Sequence, residues 1–174
     1  DAWVPVVFSD GRRENIAPWQ MVDPDIVEPD WPRPGLNVAC YEFLIGLICL
    51  ADPPAHLTEW KARKQGDPER LRAKLAPFAP AFNLIGDGPL FMQDAEPLLD
   101  GAERSVQTIF LDGGGEDGNI FAKKDRYSSL SLPMAAMVLY LLQTQAPEGG
   151  RGILTSLRGG GPLVSLVDPG DNLC

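Results

Sequence analysis

The sequence predicts an α+β fold: a mixed, loop-rich arrangement of short strands, with a buried helix near residues 36–51 and a second helix near 132–145. Three observations carry this prediction. Strand-type residues come in short runs bounded by turn signals, as at Trp3 to Phe8 and Leu163 to Val167. Apolar residues recur at helical spacing over the two longer stretches. The 18 glycines and 17 prolines, about a fifth of the 174 residues, keep the elements short without reaching the level of low-complexity disorder. A hydrophobic content of 44% over this length supplies the core of one domain, or of one domain with an appendage.

Trp3 to Phe8 is a β-branched and aromatic run, and Pro5 suits an edge strand because proline has no N–H to give to a ladder. Ser9, Asp10, Gly11 and Arg12 form a turn signal, so Arg13 to Ile16 returns as the second arm of a hairpin. Pro18, Pro24, Pro29, Pro32 and Pro34 then forbid a long helix over residues 18–35, leaving an irregular stretch with one short helix near Pro18 to Met21. Leu36 to Ala51 is the clearest helix. Val38, Tyr41, Leu44, Ile45, Ile48 and Cys49 mark its stripe, and Leu47 and Leu50 widen it, which predicts burial nearly all round. Asp52-Pro-Pro ends it. A polar, basic helix over Thr58 to Lys64 comes next, then one from Asp67 to Phe78 with an Asp cap and Pro68 at its first position. Phe82 to Ile85 reads as a short strand-like piece, Gly86 to Pro89 as a turn, and Val106 to Phe110 as a strand within a mostly looped stretch. Ser131 caps a helix, with Pro133 just inside, that runs through Ala135, Val138, Leu139 and Leu142 to Gln145.

A net charge of -9 argues against whole-surface attraction to nucleic acid or anionic membrane, so any polyanion site must be local. The apolar run Val38 to Ala51 is interrupted by Glu42 and is shorter than a membrane span needs, so no membrane partner is expected. No basic segment precedes an apolar stretch at the start, which predicts no signal peptide. Cys40, Cys49 and Cys174 form no CxxC, and His56 is the one histidine; neither a disulfide framework nor a Cys/His zinc site is expected, and a reducing, cytoplasmic setting fits. Both ends read as the edges of a fragment of a larger protein.

The catalytic inventory is thin, and no cofactor is expected. The glycine clusters lack the Gly-Lys-Ser/Thr of a Walker loop. His56 lies after Asp52-Pro-Pro-Ala in a loop and reads as non-catalytic. The acidic groups Asp23, Asp25, Glu28 and Asp30, and Glu116 with Asp117, read as solvated loops. The chain is therefore expected not to be an enzyme.

Two stretches invite an anion. Glu148, Gly149, Gly150, Arg151 and Gly152 form one glycine cluster, and Arg158 precedes another at Gly159 to Gly161. Glycine lets another backbone approach closely, and the arginines suit an anionic visitor. Nucleic acid, a phosphorylated ligand and plain turn-making all remain open on these residues. In the second stretch, Phe121 and Tyr127 flank Lys123, Lys124 and Arg126. Basic residues interleaved with aromatics can neutralise phosphates while a ring stacks on an exposed base. The rival reading is a strand end whose lysines face water. With the clusters acting only as turns, the chain would be a non-catalytic protein-interaction module.

At these residues the chain resembles the CasA family, the large subunit of the type I-E CRISPR surveillance complex, Cascade. Asp1 to Val6 is similar to that family's first strand. Gly88-Pro-Leu-Phe-Met-Gln93 is similar to its Pro-Phe-Met-Gln-like signature, with Leu90 where the family often has proline. Asn119-Ile-Phe121 resembles the start of its first functional loop. A helix ending in Gln143-Thr-Gln145, then Leu157-Arg-Gly-Gly-Gly-Pro162, completes the set in order. The resemblance spans nearly the whole chain and implies that residues 1–174 are the N-terminal part of a CasA-like main domain, without the C-terminal helical bundle. It implies a subunit that recognises the protospacer-adjacent motif in double-stranded target DNA, docks on the 5′ handle of the guide RNA, binds other Cascade subunits and recruits a nuclease-helicase. Carried onto this sequence, the DNA-binding residues are Glu148, Gly149, Gly150, Arg151 and Gly152, and the RNA-binding residues are Phe121, Lys123, Lys124 and Arg126. Arg158 would brace the glycine loop. Glu148 departs from the pattern as an acid where a glycine would admit DNA more closely, and Lys123 and Lys124 stand where relatives often carry polar or His residues.

Overall fold

Alternation of buried side chains makes the first element a strand: in β1 (Val4–Phe8), Val4, Val6 and Phe8 are buried while Pro5 and Val7 are partly exposed. The computed structural model describes residues 1–94, 101, 103, 105–110 and 127–145. These fall in two compact units, Asp1–Pro80 and the described part of Ala81–Val164.

In the first unit β1 pairs antiparallel with both β2 (Arg13–Ile16) and β3 (Ile26–Pro29), in the order β2-β1-β3. β1 is thus the central strand, not the edge strand that Pro5 suggested, and β3 lies inside the stretch expected to be irregular. Hydrogen-bonding direction explains how the sheet tolerates its prolines. The Phe8 N–H donates to the Arg12 carbonyl on the β2 side, so even-numbered residues of β1 serve β2 and odd-numbered ones serve β3. Pro5 therefore faces the end of β3, where its carbonyl accepts from the Asp30 N–H at 2.8 Å and its missing donor costs one terminal bond. Pro29 stands opposite Val6, whose polar groups serve β2, so the ring nitrogen of Pro29 points to the open edge. The β1–β2 turn places Gly11 at φ +85°, and Arg12 bonds Asp10 and Glu14 at 2.7 and 2.8 Å, which holds the Asp10 carboxyl below its usual range.

A 3-10 turn over Pro18–Val22 buries Met21, as the short helix expected there requires. α1 (Pro34–Ala51) starts with Pro34 in its first turn and buries Leu36, Ala39, Cys40, Phe43, Leu44 and Leu47. It is not buried all round: Val38, Ile45, Cys49 and Leu50 are exposed. Because the helix is apolar on every side, periodicity does not select a face, and packing against β3 and α3 does. By length and composition α1 is also long and apolar enough to cross a membrane, but its packed side is that of a core helix. Trp3 bridges the sheet to this helix, with ring centroids 6.3 Å from Trp31 and 5.7 Å from Phe43.

Next come α2 (Leu57–Ala62) and α3 (Pro68–Leu75), each begun by a side-chain cap. His56 Nδ1 accepts from the Glu59 N–H at 3.2 Å, and Glu59 accepts from the Ala55 N–H at 2.8 Å. The one histidine is therefore engaged as a helix cap. Asp67 accepts from the Arg70 N–H at 2.9 Å, the cap expected from Asp67-Pro68. Asp67→Ala is expected to cost about 1 kcal/mol, read as a lower urea midpoint with an unchanged slope. α3 buries Leu71 and Leu75, packs on the Pro18–Val22 turn and on α1, and sets Arg72 5.4 Å from the Trp19 ring centroid. A 3-10 segment over Ala76–Phe82 continues from it, taking the place of the last turn expected for that helix.

In the second unit the strand-like piece expected at Phe82 to Ile85 is instead the end of that 3-10 segment and a series of bends. They fold around the Gly88–Gln93 motif. The Phe91 N–H donates to the Asn83 carbonyl at 2.7 Å, Gln93 Nε2 donates to the Leu84 carbonyl at 2.9 Å, and the Phe82 and Phe91 rings lie 5.5 Å apart. Val106–Ile109 is a 3-10 turn, not a strand. α4 (Leu132–Gln145) begins at the expected Ser131, whose Oγ accepts from the Met134 N–H at 3.4 Å. It runs through Ala135, Val138, Leu139 and Leu142 as expected, buries Met137, Val138, Leu141 and Thr144, and packs on the Val106–Ile109 turn.

Candidate nucleic-acid interface

All nine residues expected to meet nucleic acid lie outside the described residues: Phe121, Lys123, Lys124 and Arg126, and Glu148, Gly149, Gly150, Arg151 and Gly152. The same holds for Arg158 and for the strand expected at Leu163 to Val167. What the structure describes is the frame from which both stretches depart.

Tyr127 comes directly after Arg126 and stacks on the buried Phe110, with ring centroids 4.9 Å apart and planes at 29°. The aromatic that the sequence pairs with Phe121 as a flank is thus a packing residue. The second stretch leaves the C-terminus of α4, where Thr144 is buried and donates to the Tyr140 carbonyl at 2.7 Å. A helix C-terminus carries the negative end of the macrodipole and disfavours phosphate, and the last turn of α4 holds no basic residue. Along the sequence beyond Gln145, Arg151 is the first cation.

Chemistry elsewhere in the described residues is quiet. Burial pushes the Cys40 thiol up to about 11, so it is a packing residue and not a nucleophile. Asp23 accepts from the Asp25 N–H at 3.0 Å, and Asp30 pairs with Arg13 at 3.0 Å. Among the described residues no group of three or more His, Cys, Asp or Glu is placed to hold a metal ion.

Sequence reasoning passed over one charged centre. Asp52, at the C-terminus of α1, receives Arg70 through both carboxylate oxygens at 3.0 Å and Arg63 at 3.2 Å, and Arg63 also bonds the Asp52 carbonyl. The hydrogen bonds from Arg70, then the charges of Arg63, Arg70 and Lys74, hold the Asp52 carboxyl below its usual range. This clamp ties three helices together. Its sequence signal is the density of Lys and Arg over residues 61–74, which reads only as a polar, basic helix until the fold brings it to Asp52.

Comparison with known proteins places the chain. The family model for CRISPR-associated protein Cse1 matches residues 1–168. Among solved structures, Thermobifida fusca Cse1 aligns with a TM-score of 0.69 at 20% identity, covering 86% of this chain and 30% of that one. Thermus thermophilus CasA (Cse1) aligns with a TM-score of 0.62 at 16% identity, covering 84% and 30%. A chain of a CRISPR RNA-guided surveillance complex aligns with a TM-score of 0.60 at 16% identity, covering 86% and 34%. The chain thus spans about a third of the length of these relatives. No curated protein matches the sequence. With a family match over residues 1–168 and the relatives' fold, the chain belongs to the CRISPR-associated protein Cse1 family.

Proposed function

We propose that this chain is the N-terminal part of a nucleic-acid-binding, non-catalytic subunit of a CRISPR RNA-guided surveillance complex. The observation that carries the proposal is the family match over residues 1–168, joined to a fold shared with a chain of such a complex. In this reading the partners are the other Cascade subunits of a type I-E complex, the guide RNA, double-stranded target DNA and a nuclease-helicase, in the cytoplasm. Gly149, Gly150 and Gly152 admit the minor groove beside the protospacer-adjacent motif, and Arg151 contacts a phosphate or base edge. Glu148 limits how close the backbone approaches. Phe121 stacks or wedges at the guide 5′ handle, while Lys123, Lys124 and Arg126 neutralise its backbone. The negative C-terminal end of α4 supports a contact made by Arg151 and loop N–H groups, not by the helix itself.

The test is binding of the assembled complex to DNA duplexes with varied flanking motifs. Replacing Gly149 and Gly150 by leucine is expected to weaken motif-dependent binding by about tenfold or more, the scale of one lost base-discriminating contact. Unchanged affinity and motif preference would remove the glycine loop from the interface. A Lys123→Ala/Lys124→Ala variant is expected to assemble poorly on the guide.

A further inference from the structure

We propose that α2 and the turn after it form a separate docking surface for single-stranded nucleic acid, with Trp60 stacking on a base and Lys61 and Lys64 taking the flanking phosphates. The proposal draws on the reading above only for the presence of such a strand, and its residues are distinct from 121–126 and 148–152. Charge segregation is the first observation. The chain carries a net charge of -9, yet Lys61, Arg63, Lys64, Arg70, Arg72 and Lys74 crowd into one short stretch whose acids are Asp67 and Glu69.

The fold then sorts these cations. Arg63 and Arg70 are engaged by Asp52, and Arg72 lies over Trp19. Lys61 and Lys64 are exposed and make no ion pair with an acid among the described residues. α2 consequently has two unlike sides. Glu59 and Arg63, four residues apart, pair with each other at 3.6 Å, and Arg63 reaches Asp52. Leu57, Trp60 and Lys61, at i, i+3 and i+4, share another side, and Lys64 lies in the turn just beyond, its N–H bonded to the Lys61 carbonyl.

The second observation is Trp60 itself, 59% exposed beside those lysines, with Leu57 also exposed. An indole left open next to exposed lysines is the pairing that a single strand requires: an unstacked base offers its face to the ring while phosphates meet the lysines. A duplex hides its base faces and would use the lysines alone. An anionic membrane is disfavoured by the net negative charge and by the six-residue length of α2.

The test uses the full chain and fluorescence anisotropy with a labelled oligothymidine and the matching duplex across a series of salt concentrations. The single strand is expected to bind more tightly than the duplex, and Trp60→Ala to weaken single-strand binding roughly tenfold. Lys61→Gln with Lys64→Gln is expected to reduce the slope of log affinity against log salt by about 1.4, two phosphates at roughly 0.7 each. These side chains are exposed, so circular dichroism and the thermal midpoint should match those of the parent chain. Equal binding of single strand and duplex, or affinity and slope unmoved by the α2 variants, overturns the proposal. The Lys123→Ala/Lys124→Ala variant is the separating arm: losing guide binding there while the α2 variants change nothing leaves the loop function standing and removes this surface.

Discussion

Asp52→Asn is expected to destabilise the chain by about 2–3 kcal/mol at neutral pH, and by progressively less as pH falls below about 4 toward the lower folded value of the carboxyl. The side chains of Asp52 and Arg63 are only 12% and 21% exposed, so the variant leaves partly buried guanidinium groups without their counter-charge. Arg70, at 49% exposure, contributes the smaller share because water screens it. The hydrogen bonds from Arg70 and the surrounding cations depress the folded-state carboxyl, so its stabilisation is full above the unfolded value of about 3.9 and drains away as pH falls through the lower folded value. Urea unfolding of the parent and variant chains at pH 7 and pH 3 reads the effect directly. A gap of equal size at both values would mean that packing, not charge, holds the three helix ends together.

Gly66→Ala is expected to cost about 1–3 kcal/mol by overpacking. A Cβ at this position would lie 2.8 Å from the Val22 Cβ, 2.9 Å from the Val22 carbonyl carbon and closer still to its oxygen. Val22 closes the 3-10 turn that buries Met21, so the backbone it would have to move is held from the other side. Gly46 in α1 is the matched control: a Cβ there meets nothing within 4 Å, and Gly46→Ala should stabilise the helix by about 0.5–1 kcal/mol. Thermal midpoints moving in opposite directions for the two substitutions are the expected result. A neutral Gly66→Ala would show that the turn gives way at no cost.

Local chemistry made several elements legible. The β1–β2 hairpin is written in Ser9 to Arg12, and α3 and α4 in Asp67-Pro68 and Ser131 with Pro133, because turn and cap preferences act within four residues. Val106–Ile109 reads as a strand from its β-branched Val106, Thr108 and Ile109, but a four-residue run is short enough to satisfy strand and 3-10 geometry equally. β3 was hidden among prolines that become harmless only when one points at an open edge. Of the candidate interface, the residue types and their order were legible, together with the family they resemble. The Tyr127 packing and the negative end of α4 were not, because both depend on what the chain folds against.

The division reflects the range of the forces. The amino-acid order alone specified the mixed helix-and-strand class, helices near 36–51 and 132–145, and a family resemblance that the match over residues 1–168 bears out. These rest on backbone preferences and short motifs, which neighbouring residues settle among themselves. Folding in three dimensions chose which side of α1 is buried, made β1 central, and gathered Arg63 and Arg70 onto Asp52 while leaving Trp60, Lys61 and Lys64 in water. An evenly apolar helix and an evenly basic stretch have no preferred direction in sequence; a side acquires meaning only when a distant partner packs against it.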